Sequence, residues 1–153
     1  MSFKKLCDIS SLGLVLGQSI GRWGNFFNSE AYGLPAKHFW GVFIPESARV
    51  YGYEFYKYFH PTFLYESILN IFIFLILYFF VRNMRYKFDG LIFAIYLILY
   101  SVVRFFIEGL RLDSIVNVGR LHIAQIMSLI IIICAITFIL YQSNKRRPQQ
   151  NNQ

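Results

Sequence analysis

Long apolar runs alternate with short polar breaks along this chain, and the run lengths are those of helices that cross a bilayer. A crossing needs about 20 predominantly apolar residues. Residues 61–81, 90–110 and 121–141 meet that requirement. Residues 9–29 form a weaker first span, because only 9–20 is cleanly apolar and the full length includes Arg22 and Asn25. This span is therefore predicted to pack inside a bundle rather than face lipid. Gly33, Pro35, Gly41, Pro45 and Gly52 punctuate residues 33–60, which are also rich in Tyr and Phe. That pattern predicts a small cap outside the membrane with an interfacial aromatic belt, and a short strand within Trp40-Gly-Val-Phe-Ile-Pro45. Pro61 suits the first turn of the second span, where its missing donor would be unpaired anyway. The end, residues 143–153, has the composition of a disordered basic tail. The predicted fold is an all-α membrane protein, a single membrane domain over residues 1–153. It has about four transmembrane helices and a small extracytoplasmic cap between the first two.

Composition agrees with this picture. Hydrophobic residues make up 56% and charged residues 15% of the 153, against about 25% charged in soluble domains. A net charge of +7 would suggest nucleic acid in a soluble chain. Here Lys and Arg cluster at span ends, so headgroups account for them and no nucleic-acid partner is expected. Lys4 and Lys5, the basic loop at 82–87 and Lys145 to Arg147 fall on one side of a four-span chain. By the positive-inside rule that side, with both termini, is cytoplasmic, and the cap and the 111–120 loop face outward. Cys7 and Cys134 are too few for a disulfide framework, and Cys134, inside an apolar run, is expected to be packed. His38, His60 and His122 lack partners at ligand spacing, so no metal is expected.

Polar groups within the apolar runs are the candidates for chemistry. An arginine at bilayer depth costs roughly 2.5–3.5 kcal/mol on insertion scales unless it is paired or faces water. Its guanidinium fork suits carboxylate or phosphate. Arg22, Asn25, Asn28 and Glu30 sit among the glycines of Gly17 to Gly33. Arg22 either snorkels to the headgroups or holds an anion; Asn25 and Asn28 either bond neighbouring helices or line a site. Glu30 is either solvated or a partner for Arg22. In the third span Tyr100, Arg104, Glu108 and Arg111 recur at spacings of four, four and three, placing them on one helix face. Arg104 and Glu108 can pair within the helix, leaving Arg111 as an excess cation. Glu66 needs an arginine partner. His60, just before Pro61, is read as a helix cap or interfacial residue ahead of a base. His122 and Gln125, opening the fourth span, are given an interfacial role.

Gly21-Arg-Trp-Gly-Asn-Phe-Phe-Asn-Ser-Glu-Ala-Tyr-Gly33 resembles the signature of the bacterial prolipoprotein diacylglyceryl transferases. His60-Pro-Thr-Phe-Leu-Tyr-Glu66 and Arg104-Phe-Phe-Ile-Glu108 with Arg111 follow in the same order. The resemblance covers residues 3–142. It implies an inner-membrane enzyme that moves diacylglyceryl from phosphatidylglycerol to the lipobox cysteine of a preprolipoprotein, forming a thioether and releasing glycerol phosphate. It implies catalytic roles for Arg22, Asn25, Arg104 and Glu108. Substrate contacts would involve Arg22, Asn28, Glu30, Gly33, His60, Tyr65, Glu66, Tyr100 and Arg111. No metal or other cofactor is implied.

Ser29 stands where the family usually has glycine, a small change expected to be tolerated. Family members are roughly twice as long, with about seven spans, and carry a His-Gly-Gly motif and a catalytic tyrosine in their N-terminal half. Neither feature occurs here, so the chain reads as the C-terminal half, with Met1 in a cytoplasmic loop. Catalysis by this chain alone is not expected, and a separate N-terminal half is a candidate partner. The alternatives are a non-catalytic lipid-binding or assembly module and an inactive gene remnant.

Overall fold

The computed structural model describes residues 2–83, 88–112, 117–118 and 121–150. Most of the basic loop at 82–87 and much of the 111–120 loop lie outside these residues. Four long helices carry the fold: α1 (Phe3–Phe27), α2 (Thr62–Asn83), α3 (Leu91–Glu108) and α4 (Ile123–Gln150). α1 packs along α2, and α3 packs against both α2 and α4. Val15, Ile73, Leu77, Ile92 and Tyr96 form the buried centre where α1, α2 and α3 meet.

Among the described residues three helices are long and apolar enough to cross a membrane, within Thr62–Arg82, Leu91–Glu108 and Ile123–Lys145. α1, at 25 residues, extends roughly 37 Å and so exceeds a hydrocarbon core of about 30 Å. Its composition falls short because one face is polar, and that face is turned into the bundle. Ser11, Ser19 and Asp8 are buried. Ser19 Oγ donates to the Ser67 carbonyl at 2.9 Å, Ser67 Oγ donates back to the Ser19 carbonyl at 2.9 Å, and Trp23 Nε1 donates to Ser67 Oγ at 3.2 Å. Small hydroxyl residues bring the two backbones close and bond across them, as helices in lipid require.

Asp8 extends the same logic to α3. Its carboxylate accepts from Gly90 N at 2.6 Å and Phe93 N at 2.9 Å, so α1 supplies the cap and negative charge for the α3 N-terminus. Helix α1 starts at Phe3, earlier than the apolar pattern predicts, because Ser2 Oγ accepts from Lys5 N and caps it.

The other end of the bundle carries the cap. β1 (Val42–Phe43) pairs antiparallel with β2 (Tyr58–Phe59), the first lying within the segment predicted as a strand. Tyr32, Ile44 and Phe59 form a small core there. Tyr32 Oη donates to the Ala48 carbonyl at 2.7 Å and accepts from Val50 N at 2.8 Å. β3 (Asn117–Val118) and β4 (Leu121–His122) form a second short pair.

Three details depart from the sequence reading. Helical backbone continues to Gln150, into the segment expected to be disordered, because extending an existing helix needs no new nucleus and Lys, Arg and Gln are good helix formers, an effect that Pro148 opposes by removing one backbone donor. Cys134 is exposed rather than packed. Gln125 is buried rather than interfacial, accepting from His122 N at 3.0 Å and donating to the Phe105 carbonyl at 3.2 Å.

Candidate functional site

The cap end gathers the C-terminal turns of α1 and α3 and the first turn of α2. Backbone bonds fasten this junction: Gly33 N to the His60 carbonyl at 2.9 Å, Leu34 N to the Leu110 carbonyl at 3.0 Å, and His60 N to the Leu34 carbonyl at 2.9 Å. Gly33 sits at the crossing. A Cβ there would lie 2.9 Å from the Leu110 carbonyl oxygen, 2.9 Å from Thr62 Cγ2 and 3.0 Å from His60 Cβ. Its role is close approach of three chain segments.

Charged side chains from all three helices converge just inside this junction. Arg22 Nη2 lies 2.5 Å from Glu66 Oε2, and Arg104 Nη1 lies 3.4 Å from Glu66 Oε1. Arg104 Nη2 is 2.9 Å from Glu108 Oε2, and Arg111 Nη1 is 4.0 Å from the same oxygen. Among the described residues the order Arg22–Glu66–Arg104–Glu108–Arg111 alternates in sign. The Glu66 side chain is 3% exposed, while Arg22 and Arg104 retain 18% and 22%. The carboxylates are thus the buried hubs, and the arginine side chains keep partial exposure. Alternation explains how five ionisable groups share this depth: each charge has an opposite neighbour to offset its desolvation.

The remaining predicted residues fall around this cluster. Asn25, one turn beyond Arg22, is half-buried and lines a cavity of about 280 Å³ together with Glu30, Tyr32, Phe43 and Phe63. Asn28 Nδ2 donates to Glu30 Oε1 at 3.1 Å, and both residues are exposed. Glu66, and not Glu30, is the carboxylate that meets Arg22, because Glu30 lies past the end of α1. His60 Nδ1 is 3.1 Å from Tyr65 Oη, so these two form a pair of their own. Tyr100 stacks on Tyr96 at 5.9 Å between ring centroids, one turn from Arg104.

A larger cavity, about 480 Å³, opens at the opposite end between α1, α3 and α4. Cys7, Cys134 and Phe138 are among its lining residues, and its walls are almost wholly apolar, so it offers nothing to charged chemistry. Among the described residues no group of His, Cys, Asp and Glu could hold a metal.

Two non-glycine residues in the first motif have left-handed backbone, Ser29 (φ 53°) and Ala31 (φ 55°). Ser29 N donates to the Phe26 carbonyl and Glu30 N to the Asn25 carbonyl, the pair of bonds that closes a helix through a left-handed residue, normally glycine. Ser29 is thus small but strained, at the position where the family signature is expected to carry glycine. Asn70, Asp8 and Ser67 carry polar groups into the bundle and were not marked by sequence reasoning. Asn70 had a usable signal, since it falls four residues after Glu66 on the same face.

The family model described as prolipoprotein diacylglyceryl transferase matches residues 1–141. A protein of Thermosynechococcus vestitus named phosphatidylglycerol–prolipoprotein diacylglyceryl transferase is 45% identical over 150 residues, covering 97% of this chain and 56% of the relative. A protein of the same name from Gloeobacter violaceus is 50% identical over 128 residues, covering 84% and 47%. Another from Fervidobacterium nodosum is 44% identical over 149 residues, covering 97% and 50%. The chain spans about half the length of the curated relatives it matches.

Proposed function

Because the chain belongs to the prolipoprotein diacylglyceryl transferase family, we propose that it takes part in moving diacylglyceryl from phosphatidylglycerol to the lipobox cysteine of prolipoproteins. The chain is a multi-pass membrane protein. In this reading it resides in the bacterial inner membrane with the cap outward and both described ends cytoplasmic. The rest of the family's length is supplied in cis or by a separate N-terminal half.

One observation carries the reading: Arg22 and Arg104, from different helices, meet on the single carboxylate of Glu66. A lipid phosphate is the anion that reaches this depth of a bilayer. In the reaction the cysteine's thiol proton ends on the departing glycerol phosphate, and its sulfur forms a bond to the glyceryl carbon that carries the phosphate. The carbon–oxygen bond breaks, and its electron pair leaves with glycerol phosphate. Negative charge grows on the departing phosphate, and fixed guanidiniums in a poorly solvated site stabilise it without reorganising. Arg22 and Arg104 hold the phosphate, Glu66 and Glu108 fix their orientation, and Asn25 borders the cavity through which the second substrate approaches.

The test uses the chain in nanodiscs of phosphatidylcholine, with phosphatidylglycerol binding followed by native mass spectrometry. The wild type is expected to prefer phosphatidylglycerol, and Arg104→Ala to weaken that binding about tenfold, the loss of a charge-assisted hydrogen bond. Equal binding of the two lipids, or an Arg104→Ala variant that binds as well, refutes the reading. Addition of the N-terminal half of a relative, with a lipobox peptide, then tests thioether formation. Selective binding with no product in that mixture assigns this chain to lipid binding alone.

A further inference from the structure

The charged cluster has a second layer beneath it. α2 enters the bundle from the cap, so residues later in α2, and earlier in α1 and α3, lie deeper. One turn deeper than Glu66 is Asn70; one turn deeper than Arg22 is Gln18; one turn deeper than Arg104 is Tyr100. Each of the three helices thus follows its charged residue with a neutral hydrogen-bonding one. Gln18 Oε1 accepts from Tyr96 Oη at 3.1 Å, and Tyr96 stacks on Tyr100. Asn70 is different. It is fully buried, and neither its Nδ2 nor its Oδ1 has a hydrogen-bond partner among the described residues. A buried amide left unsatisfied costs as much as a lost hydrogen bond, and such groups are rarely kept without a use.

We propose that Asn70 is a further lipid-binding residue, donating its side-chain amide to an ester carbonyl of the phospholipid's glycerol backbone. This rests on the arginine cluster holding the phosphate. Four residues of helix descend about 6 Å, and five covalent bonds separate phosphorus from the nearer ester carbonyl carbon, also a reach of about 6 Å at ordinary bond lengths. The two layers therefore match a phospholipid in both chemistry and spacing: charged donors at phosphate depth, neutral donors at ester depth. Gln18 and Tyr100, at the same depth, are half-buried while Asn70 is enclosed, so the ester reaches Asn70 only as the helices part there. The consequence is selectivity that the arginines cannot supply, for ester-linked over ether-linked lipid with the same headgroup.

The experiment compares ester-linked and ether-linked phosphatidylglycerol binding to the chain in nanodiscs whose bulk lipid is ether-linked phosphatidylcholine. The wild type should bind the ester lipid about fivefold more tightly, the worth of one neutral hydrogen bond. Asn70→Leu, which keeps the branched four-atom skeleton without its polar atoms, should bind both lipids alike, at the level of the ether lipid. Arg22→Ala should weaken both and leave their ratio unchanged. An ester-to-ether ratio near one in the wild type, or a ratio that Asn70→Leu leaves intact, overturns the proposal. The wild-type comparison needs no variant and decides the matter even where Asn70→Leu does not fold. Failure to prefer either phosphatidylglycerol over phosphatidylcholine sinks the arginine reading as well, so the two failures are told apart.

Discussion

Replacing Glu66 by Gln is the sharpest probe of the cluster, because it removes the one carboxylate that arginines of two helices share. At an effective dielectric constant of about 20, a pair of unit charges at the 2.5 Å and 3.4 Å separations found here attracts by roughly 7 and 5 kcal/mol respectively. Most of that gross attraction is offset by the desolvation of the ions. Breaking a buried pair by removing one partner costs about 3–5 kcal/mol, since the other charge is left uncompensated. In Glu66→Gln, Arg22 loses its carboxylate and Arg104 keeps only Glu108, and the cluster becomes more positive by one charge. At roughly 2–4 °C per kcal/mol for a domain of this size, the lipid-free protein should melt about 10 °C lower. An anionic lipid should then restore the variant more than it stabilises the wild type, because phosphate replaces the missing carboxylate. The assay is thermal unfolding in a neutral detergent, followed by circular dichroism with and without phosphatidylglycerol. Glu30→Gln serves as the control: this carboxylate is exposed and bonded only to Asn28 in the structure described, and its loss should change stability by under about 0.5 kcal/mol. A Glu66→Gln variant that melts like the wild type and responds equally to lipid would show that Glu66 does not hold the arginines by charge.

The backbone of the first motif supports two further predictions. Gly33→Ala should destabilise the chain by about 1–3 kcal/mol through overpacking, since the new Cβ would sit 2.9 Å from the Leu110 carbonyl oxygen; a melting temperature equal to the wild type's refutes it. Ser29→Gly should stabilise by about 1 kcal/mol, relieving the left-handed strain at φ 53°, and an unchanged or lower melting point would place the strain elsewhere.

Charge in an apolar run is conspicuous, so Arg22, Glu66, Arg104 and Glu108 could be picked out from the sequence, and helical spacing alone put Arg104 and Glu108 on one face. That pairing is local and follows from 3.6 residues per turn. Three membrane-crossing segments were legible for a similar reason: lipid demands long apolar helices and tolerates little else. Which carboxylate meets Arg22 was not legible. Glu30 is eight residues away and Glu66 forty-four, yet α1 ends before Glu30 and packs along α2, so the distant residue wins. Asp8 capping α3, Gly33 at the crossing of three segments and the unsatisfied amide of Asn70 belong to the same class. Each depends on what another helix brings to that depth, and hydropathy along one strand of sequence carries no record of it. The sequence determined which residues could not be left in lipid alone, because the cost of burying a charge belongs to the residue itself. Only the tertiary structure decided the partner, because the compensating group is chosen by helix packing and not by distance along the chain.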